Sequence, residues 1–456
     1  MLIYMWKHVD FKEVRVAGVK LAGPQVEGSI SSAEGSEVGR SAIRRIAFRL
    51  VPFLMLCYSI TYLNRVNLSF ASVAMSQSLT LTASEYGLGA GLFFASYSLF
   101  EIPSNLMLHR LGARRWLARI MLTLGICAAG MSLVEGRTGF YLVRLALGVA
   151  EAGFFPGILY FLTLWFPTQY RARIVGMLIA TIPLASIAGA PLSALLLSFD
   201  GAAGLRGWQW LFLVEAVPAF VLAPLLAIYL QDSPKEARWL PEPEKVWIIG
   251  KLESERQESD TRRAYTVLQC LTDTRVLCLA AIFFSNVCLL NGITFFLPQI
   301  VDGFALTEFQ KSIVIGAPGF LALIVLLSWG RISDLRNERY THAAIANFLG
   351  GAALLLSIVL NAPAPRMVAL SAAFACTLAF ASPFWAIPPS FLTGRAAAGG
   401  MALISALGVT GGFVSPWFIG TMKEITGDFK IGFGVVAMIA MISAVTLHRL
   451  GRTRSS

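Results

Sequence analysis

Arg144-Leu-Ala-Leu-Gly-Val-Ala-Glu151-Ala-Gly-Phe-Phe-Pro156-Gly157 lies inside an apolar segment that runs from 138 to 163 and carries only two charges. As helix, a run of that length crosses a hydrocarbon core of about 30 Å. Working outward, comparable segments fall at 48–70, 86–108, 116–134, 174–198 and 210–230. A second set follows at 276–298, 311–330, 342–361, 366–388, 397–421 and 431–448. Residues of the AVILMFWYC set make up 56% of the 456, charged residues only 14%, and mean hydropathy is +0.68. Soluble domains carry about a quarter of their residues as charges, so a water-facing surface of this size could not be covered. The reading is an all-α membrane protein with twelve transmembrane helices in two six-helix halves.

Between the two sets lies Gln231 to Asp273, the long polar stretch after the N-terminal region. The division expected is a tail over 1–45, a six-helix half over 46–230, a linker over 231–274, a second half over 275–450 and a short tail over 451–456. The first 45 residues contain no apolar core of the kind a cleaved signal needs. Arginines crowd alternate loops: Arg110, Arg114 and Arg115; Arg171 and Arg173; Arg331, Arg336 and Arg339; Arg395; Arg449, Arg452 and Arg454. Cytoplasmic loops retain Lys and Arg, so both termini and the linker are expected on the cytoplasmic side of the inner membrane. A weak repeat supports parallel halves: Asn105 to Arg115 after the second segment is echoed by Gly330 to Arg336 after the eighth.

The same bias accounts for a net charge of +11, so no nucleic-acid partner is expected. Cysteines at 57, 127, 270, 278, 288 and 376 fall mainly in apolar stretches without CxxC spacing and read as packing residues. Only four His occur, and neither a metal site nor a cofactor is expected. No GxxxxGK[ST] points to ATP-driven transport, and no HExxH or GxSxG points to an enzyme.

Ionisable groups inside the bilayer are costly enough to be functional candidates. Arg65 sits in the first segment, and Arg144 and Glu151 share the fourth. Seven residues make nearly two helical turns, which puts Arg144 and Glu151 on one face, about 10 Å apart along the axis. Arginine keeps its charge and forks onto a carboxylate, so Arg65 and Arg144 are expected to hold an anion while Glu151 titrates. An anion that takes over the arginines would release their hold on Glu151 and favour its protonation. The other reading is an ion pair that stitches helices together. Glu101 is expected to pair with the arginine-rich turn beyond it, and Glu215 to be structural.

Several stretches, in order, resemble the anion:cation symporter family of the major facilitator superfamily, which includes tartrate, sugar-acid and aromatic-acid transporters. They are Arg65-Val-Asn67, Phe100-Glu-Ile-Pro-Ser-Asn-Leu-Met107, Leu147-Gly-Val-Ala-Glu151-Ala-Gly-Phe-Phe-Pro-Gly157, Trp165-Phe-Pro167, Phe296-Leu-Pro-Gln-Ile300, Trp385-Ala-Ile-Pro388 and Gly411-Gly-Phe413. The resemblance covers about Arg44 to Arg449. It implies the major facilitator fold and uptake of an organic anion with protons by alternating access. It makes Arg65 and Arg144 the anion arginines and Glu151 the proton-coupling acid, with Tyr97, Ser382 and Trp385 in the pocket.

Two departures bear on the chemistry. Asn64 stands where relatives usually have Asp, and an amide cannot ionise. In the eleventh segment, Ser405 and Val409 replace two asparagines, leaving one hydroxyl towards the substrate and favouring a less hydroxylated acid. The expected partners are a small organic anion, protons and the lipid bilayer, with the chain a monomer. An anion exchanger or uniporter on the same fold, or a transporter-like sensor, remains open.

Overall fold

The computed structural model describes residues 27–260, 273–304, 306–336, 338–388, 391 and 395–452. The first 26 residues of the expected tail, the linker from 261 to 272 with Cys270, and Arg454 lie outside the described residues.

Among the described residues, the chain is helical and has no strand. The first half contains α1 (Glu27–Phe70), the short α2 (Ser72–Ser78), α3 (Ala83–Leu111), α4 (Ala113–Met131), α5 (Gly136–Glu151), α6 (Phe154–Trp165), α7 (Thr168–Ile179), α8 (Thr181–Leu197) and α9 (Gly207–Tyr229). The linker supplies α10 (Glu242–Asp260). The second half contains α11 (Thr274–Asp302), α12 (Glu308–Arg336), α13 (Arg339–Val359), α14 (Pro363–Trp385), α15 (Arg395–Val409), α16 (Gly411–Thr426) and α17 (Lys430–Arg452). A bilayer offers backbone groups no water, so each segment must satisfy its own amides as helix.

Ten spans among the described residues are long and apolar enough to cross a membrane. Three of them join two helices each: α5 with α6, α7 with α8, and α15 with α16. The other two expected segments are α3 and α4, of 29 and 19 residues. Their apolar character is diluted by Gly87, Gly89, Gly91, Ser96, Ser98 and Glu101 in α3 and by Arg114, Arg115 and Arg119 at the start of α4. The ten and the two together make the expected twelve.

Local chemistry sets several ends. Thr82 and Glu85 form a reciprocal capping box at the start of α3. The Asp273 carboxylate accepts from the Arg275 and Val276 amides at 2.8 and 3.4 Å and starts α11. The region read as tail through Arg45 is helical from Glu27. The physical reason is tertiary: Ser41 donates to Glu244 at 2.7 Å, Arg45 pairs with Glu244 at 3.1 Å, and Ile43 and Ile46 are buried.

The linker docks on the first half. Asp232 accepts from the Arg114 amide at 2.8 Å, Glu255 accepts from the Thr168 hydroxyl at 2.8 Å, and Trp239 stacks on Trp165 at 5.7 Å. These contacts mark one end of the molecule as the linker side. The two halves meet mainly away from it. The amide and hydroxyl of Ser84 reach Glu424 and Thr421 at 3.1 and 2.9 Å, Gly87 and Gly91 face the carbonyls of Pro416 and Phe413, and Tyr86 donates to the Phe295 carbonyl at 3.2 Å. All five described cysteines are unpaired.

Candidate functional site

The quoted stretch is not one continuous helix. α5 stops at Glu151, where Ala152 turns extended (φ −51°, ψ 128°) and Gly153 is left-handed (φ +83°) before α6 begins at Phe154. A side chain at Gly153 would be strained by that φ and would run into the Ser104 side chain. The loosened Ala152 carbonyl accepts from the Ser104 hydroxyl at 2.5 Å, and that oxygen accepts from the Trp116 indole at 3.0 Å. Pro156 costs nothing in the first turn of α6, where its missing N–H has no helical partner. The break is therefore satisfied by α3 and α4, as non-helical backbone at membrane depth must be. Discontinuous helices of this kind place backbone dipoles at binding sites.

Arg144 lies nearly two turns before the break and is 1% exposed. Its Nε donates to the Gly89 carbonyl and its Nη2 to the Ala90 carbonyl, each at 3.1 Å. A helical carbonyl has a second lone pair to accept such a bond. The helices approach closely enough because Gly148 lies against Ser96 and the Phe93 carbonyl, where any Cβ would collide. The guanidinium also lies 4.9 Å from the Phe93 ring centre. Arg144 thus clamps α5 to α3 in this conformation.

Arg65 is different. Its Nη2 donates to Glu151 Oε1, and its guanidinium lies 5.2, 5.8 and 5.3 Å from the rings of Phe93, Phe94 and Tyr97. Aromatic faces attract a cation in this range. Glu151 is 1% exposed, yet its Oε2 has no hydrogen-bond partner, and neither has Arg65 Nε. Beside them Asn64 donates to the Ile60 carbonyl at 3.0 Å while its Oδ1 is buried without a donor. The result is a part-buried ion pair, its carboxylate enclosed and its guanidinium 19% exposed, with unused hydrogen-bonding capacity on both partners. A carboxylate arriving at Arg65 can share that guanidinium, because the planar fork accepts two oxygens side by side.

The structure brings Arg65, Tyr97 and Glu151 together, with Arg144 behind Phe93. Tyr97 is 6% exposed and stacks on Phe93 at 5.9 Å. Ser405 reaches the cluster from the other half by donating to Glu101 Oε1 at 3.3 Å. Ser382 and Trp385 sit in that second half. Trp385 packs edge-on against Phe283 at 5.0 Å, and Ser382 lies against Gly330 of α12. Glu101 does not pair with the arginine-rich turn as expected. It is 4% exposed, and its Oε2 is buried without a partner. Its side chain points across to the second half because α15 passes at that level. Glu215 is also buried, beside Asn67, with no hydrogen bond completed at either oxygen.

Sequence reasoning missed the break after Glu151, the carbonyl clamp on Arg144, and a neutral network in the second half. In that network Asn347 donates to Ser443 and Ser285 at 2.7 and 3.2 Å and to the Ala440 carbonyl at 3.1 Å, and accepts from Asn286 at 3.3 Å. The signal for the break was present in Ala152-Gly153 with Pro156 three residues on. The network offered only two amides in apolar helices. A hollow of 360 Å³ between loops on the side away from the linker, lined by Glu135, Arg206 and Trp208 among others, includes none of the site residues.

Comparison with known proteins places this geometry in context. The family model described as Major Facilitator Superfamily matches residues 54–416. A protein of Agrobacterium vitis named "Putative tartrate transporter" is 40% identical over 403 residues, covering 88% of this chain and 90% of that one. The "Quinolone resistance transporter" of Acinetobacter baumannii is 39% identical, covering 87% and 92%. Among solved structures, the partially occluded inward-open xylose transporter XylE of E. coli superposes with a TM-score of 0.69 at 14% identity, covering 88% of this chain and 98% of that one. An inward-facing bacterial homologue of the human lysosomal transporter Spinster gives 0.66 at 13% identity, covering 88% and 94%. At such identities these two structures speak to the fold.

Proposed function

The chain belongs to the Major Facilitator Superfamily, a family of membrane transporters and not of enzymes, and from that premise we propose that it takes up a small organic anion with protons. The inner membrane is its location, with both termini and the linker cytoplasmic. The observation that carries the reading is the Arg65–Glu151 pair, part-buried and joined by one hydrogen bond, with Glu151 Oε2 and Arg65 Nε unpartnered. A saturated structural pair would leave nothing for a ligand. In this pair the anion's carboxylate takes the free side of the Arg65 fork, Glu151 loses part of its counter-charge, and a proton replaces it. Tyr97 and Phe93 wall the first half, and Ser382, Trp385 and Ser405 line the second. Arg144 holds the floor by fixing α5 to α3 and contacts the anion only if it leaves the carbonyls of Gly89 and Ala90.

The relatives named for tartrate suit a carboxylate-bearing substrate. The test uses purified protein in proteoliposomes with L-tartrate, a monocarboxylate and an aromatic acid as probes. At least one should raise the melting temperature and enter with a measurable proton influx. If no carboxylate binds, or one enters without proton movement, the symport reading fails. Asn64, which cannot ionise, favours a second reading of exchange without protons, and the latter outcome would select it.

A further inference from the structure

α3 runs beside α16 and α15 like a zip between the halves. From the side away from the linker, its rungs are Ala83 against Gly420, Ser84 with Thr421, Gly87 against Pro416, Gly91 against Phe413 and Phe94 against Gly412. Next comes Ser98, which donates to the Ala406 carbonyl at 2.7 Å. The last rung recorded among the described residues is Glu101, accepting from Ser405 at 3.3 Å. Beyond it, on the linker side, Ile102 and Leu106 are 54% and 60% exposed. A buried carboxylate therefore sits where separation of the halves on the linker side must begin.

We infer that Glu101 is a proton-operated latch between the two halves, distinct from the Arg65–Glu151 pair. A carboxylate needs several donors or a cation to bear its charge inside a bilayer. Glu101 has one hydroxyl donor and an Oε2 with no partner. The charged and titratable groups that face it are Arg65 from α1 and Tyr97 from its own helix, while α15 offers the neutral Ser405. Arg65 is already engaged by Glu151 of α5. The neutral acid fits this place: a proton on Oε2 lets the group stay buried while Oε1 holds Ser405. Loss of that proton to water at the linker side leaves a charge that only hydration can support, so the rung parts and the cleft opens. Closing reverses the step, with a proton taken from the same water.

The inference rests on the transporter reading for its setting but is tested without substrate. Spin labels at Leu106→Cys and Ala402→Cys, in a background otherwise free of cysteine, report the separation of α3 and α15 in proteoliposomes as pH is varied. Both positions are exposed. The distance in the parent should lengthen as pH rises. Glu101→Gln should hold the short distance at every pH, and Ser405→Ala should lose the short population at every pH. A parent without pH response, or Glu101→Gln following the parent's profile, overturns the latch. If Glu101→Gln does not fold, Ser405→Ala decides alone, and a parental profile there is equally fatal. Failure of carboxylate uptake would leave these distances untouched, so the two readings fall separately.

Discussion

Each half of the molecule buries a polar network, and the two are built oppositely. In the first half, Arg65, Glu151 and Arg144 are charged, packed among Phe93, Phe94 and Tyr97, and leave Glu151 Oε2 and Arg65 Nε unpaired. In the second, Asn286, Asn347, Ser285 and Ser443 are neutral and bonded to one another or to the Thr377 and Ala440 carbonyls. A satisfied neutral network rigidifies and fixes one packing. A buried ion pair is costly to break and sensitive to any third charge. On the proposed function, the first half is the one that responds to an arriving charge and the second the one that holds its packing.

That contrast can be broken in several ways. The largest effect should follow Arg65→Ala, which leaves Glu151 buried without its counter-ion. Breaking such a pair costs about 3–5 kcal/mol, read as a fall in melting temperature in detergent, and carboxylate uptake should be lost. Adding Glu151→Ala should recover much of that stability without uptake. A double variant no more stable than the single one would deny that the two residues act as a pair.

Glu151→Gln comes next. The amide keeps size and hydrogen bonding but cannot titrate, so proton-driven accumulation should vanish while counterflow of the probe anion survives. Both are measured on the same proteoliposomes, and preserved uphill uptake would end the coupling role. The Arg144→Lys change probes the clamp: one ammonium cannot reproduce the two fork bonds to Gly89 and Ala90, and thermal stability should fall by about 1–3 kcal/mol. If instead binding is lost with stability intact, Arg144 is an anion ligand after all.

In the second half, Asn347→Ala should cost about 1–3 kcal/mol through the hydroxyls and carbonyl left unpaired. The pH profile of uptake should stay as in the parent, and a shifted profile would place coupling in both halves. The smallest effect is expected of Asn64→Asp, which adds a titratable group beside Arg65. It should move the pH profile of uptake more than the affinity for the probe. An unchanged profile would remove position 64 from the coupling site.

The sequence by itself determined the membrane class, the twelve segments and the rare charges Arg65, Arg144 and Glu151. Those were legible because a bilayer imposes one backbone solution, helix, and makes every intramembrane charge conspicuous. Pairing was not legible, since a spacing of seven puts Arg144 and Glu151 on one face without naming what either meets. The tertiary structure gave Arg144 to two carbonyls of α3 and Glu151 to Arg65, because Gly148 admits α3 and Gly153 ends the helix. Glu101 meets Ser405 across 304 positions of sequence. Local pattern fixes which groups lie in the membrane, while the choice of partner depends on how closely separate helices approach, and that is settled by side-chain volume at contacts far apart in the chain.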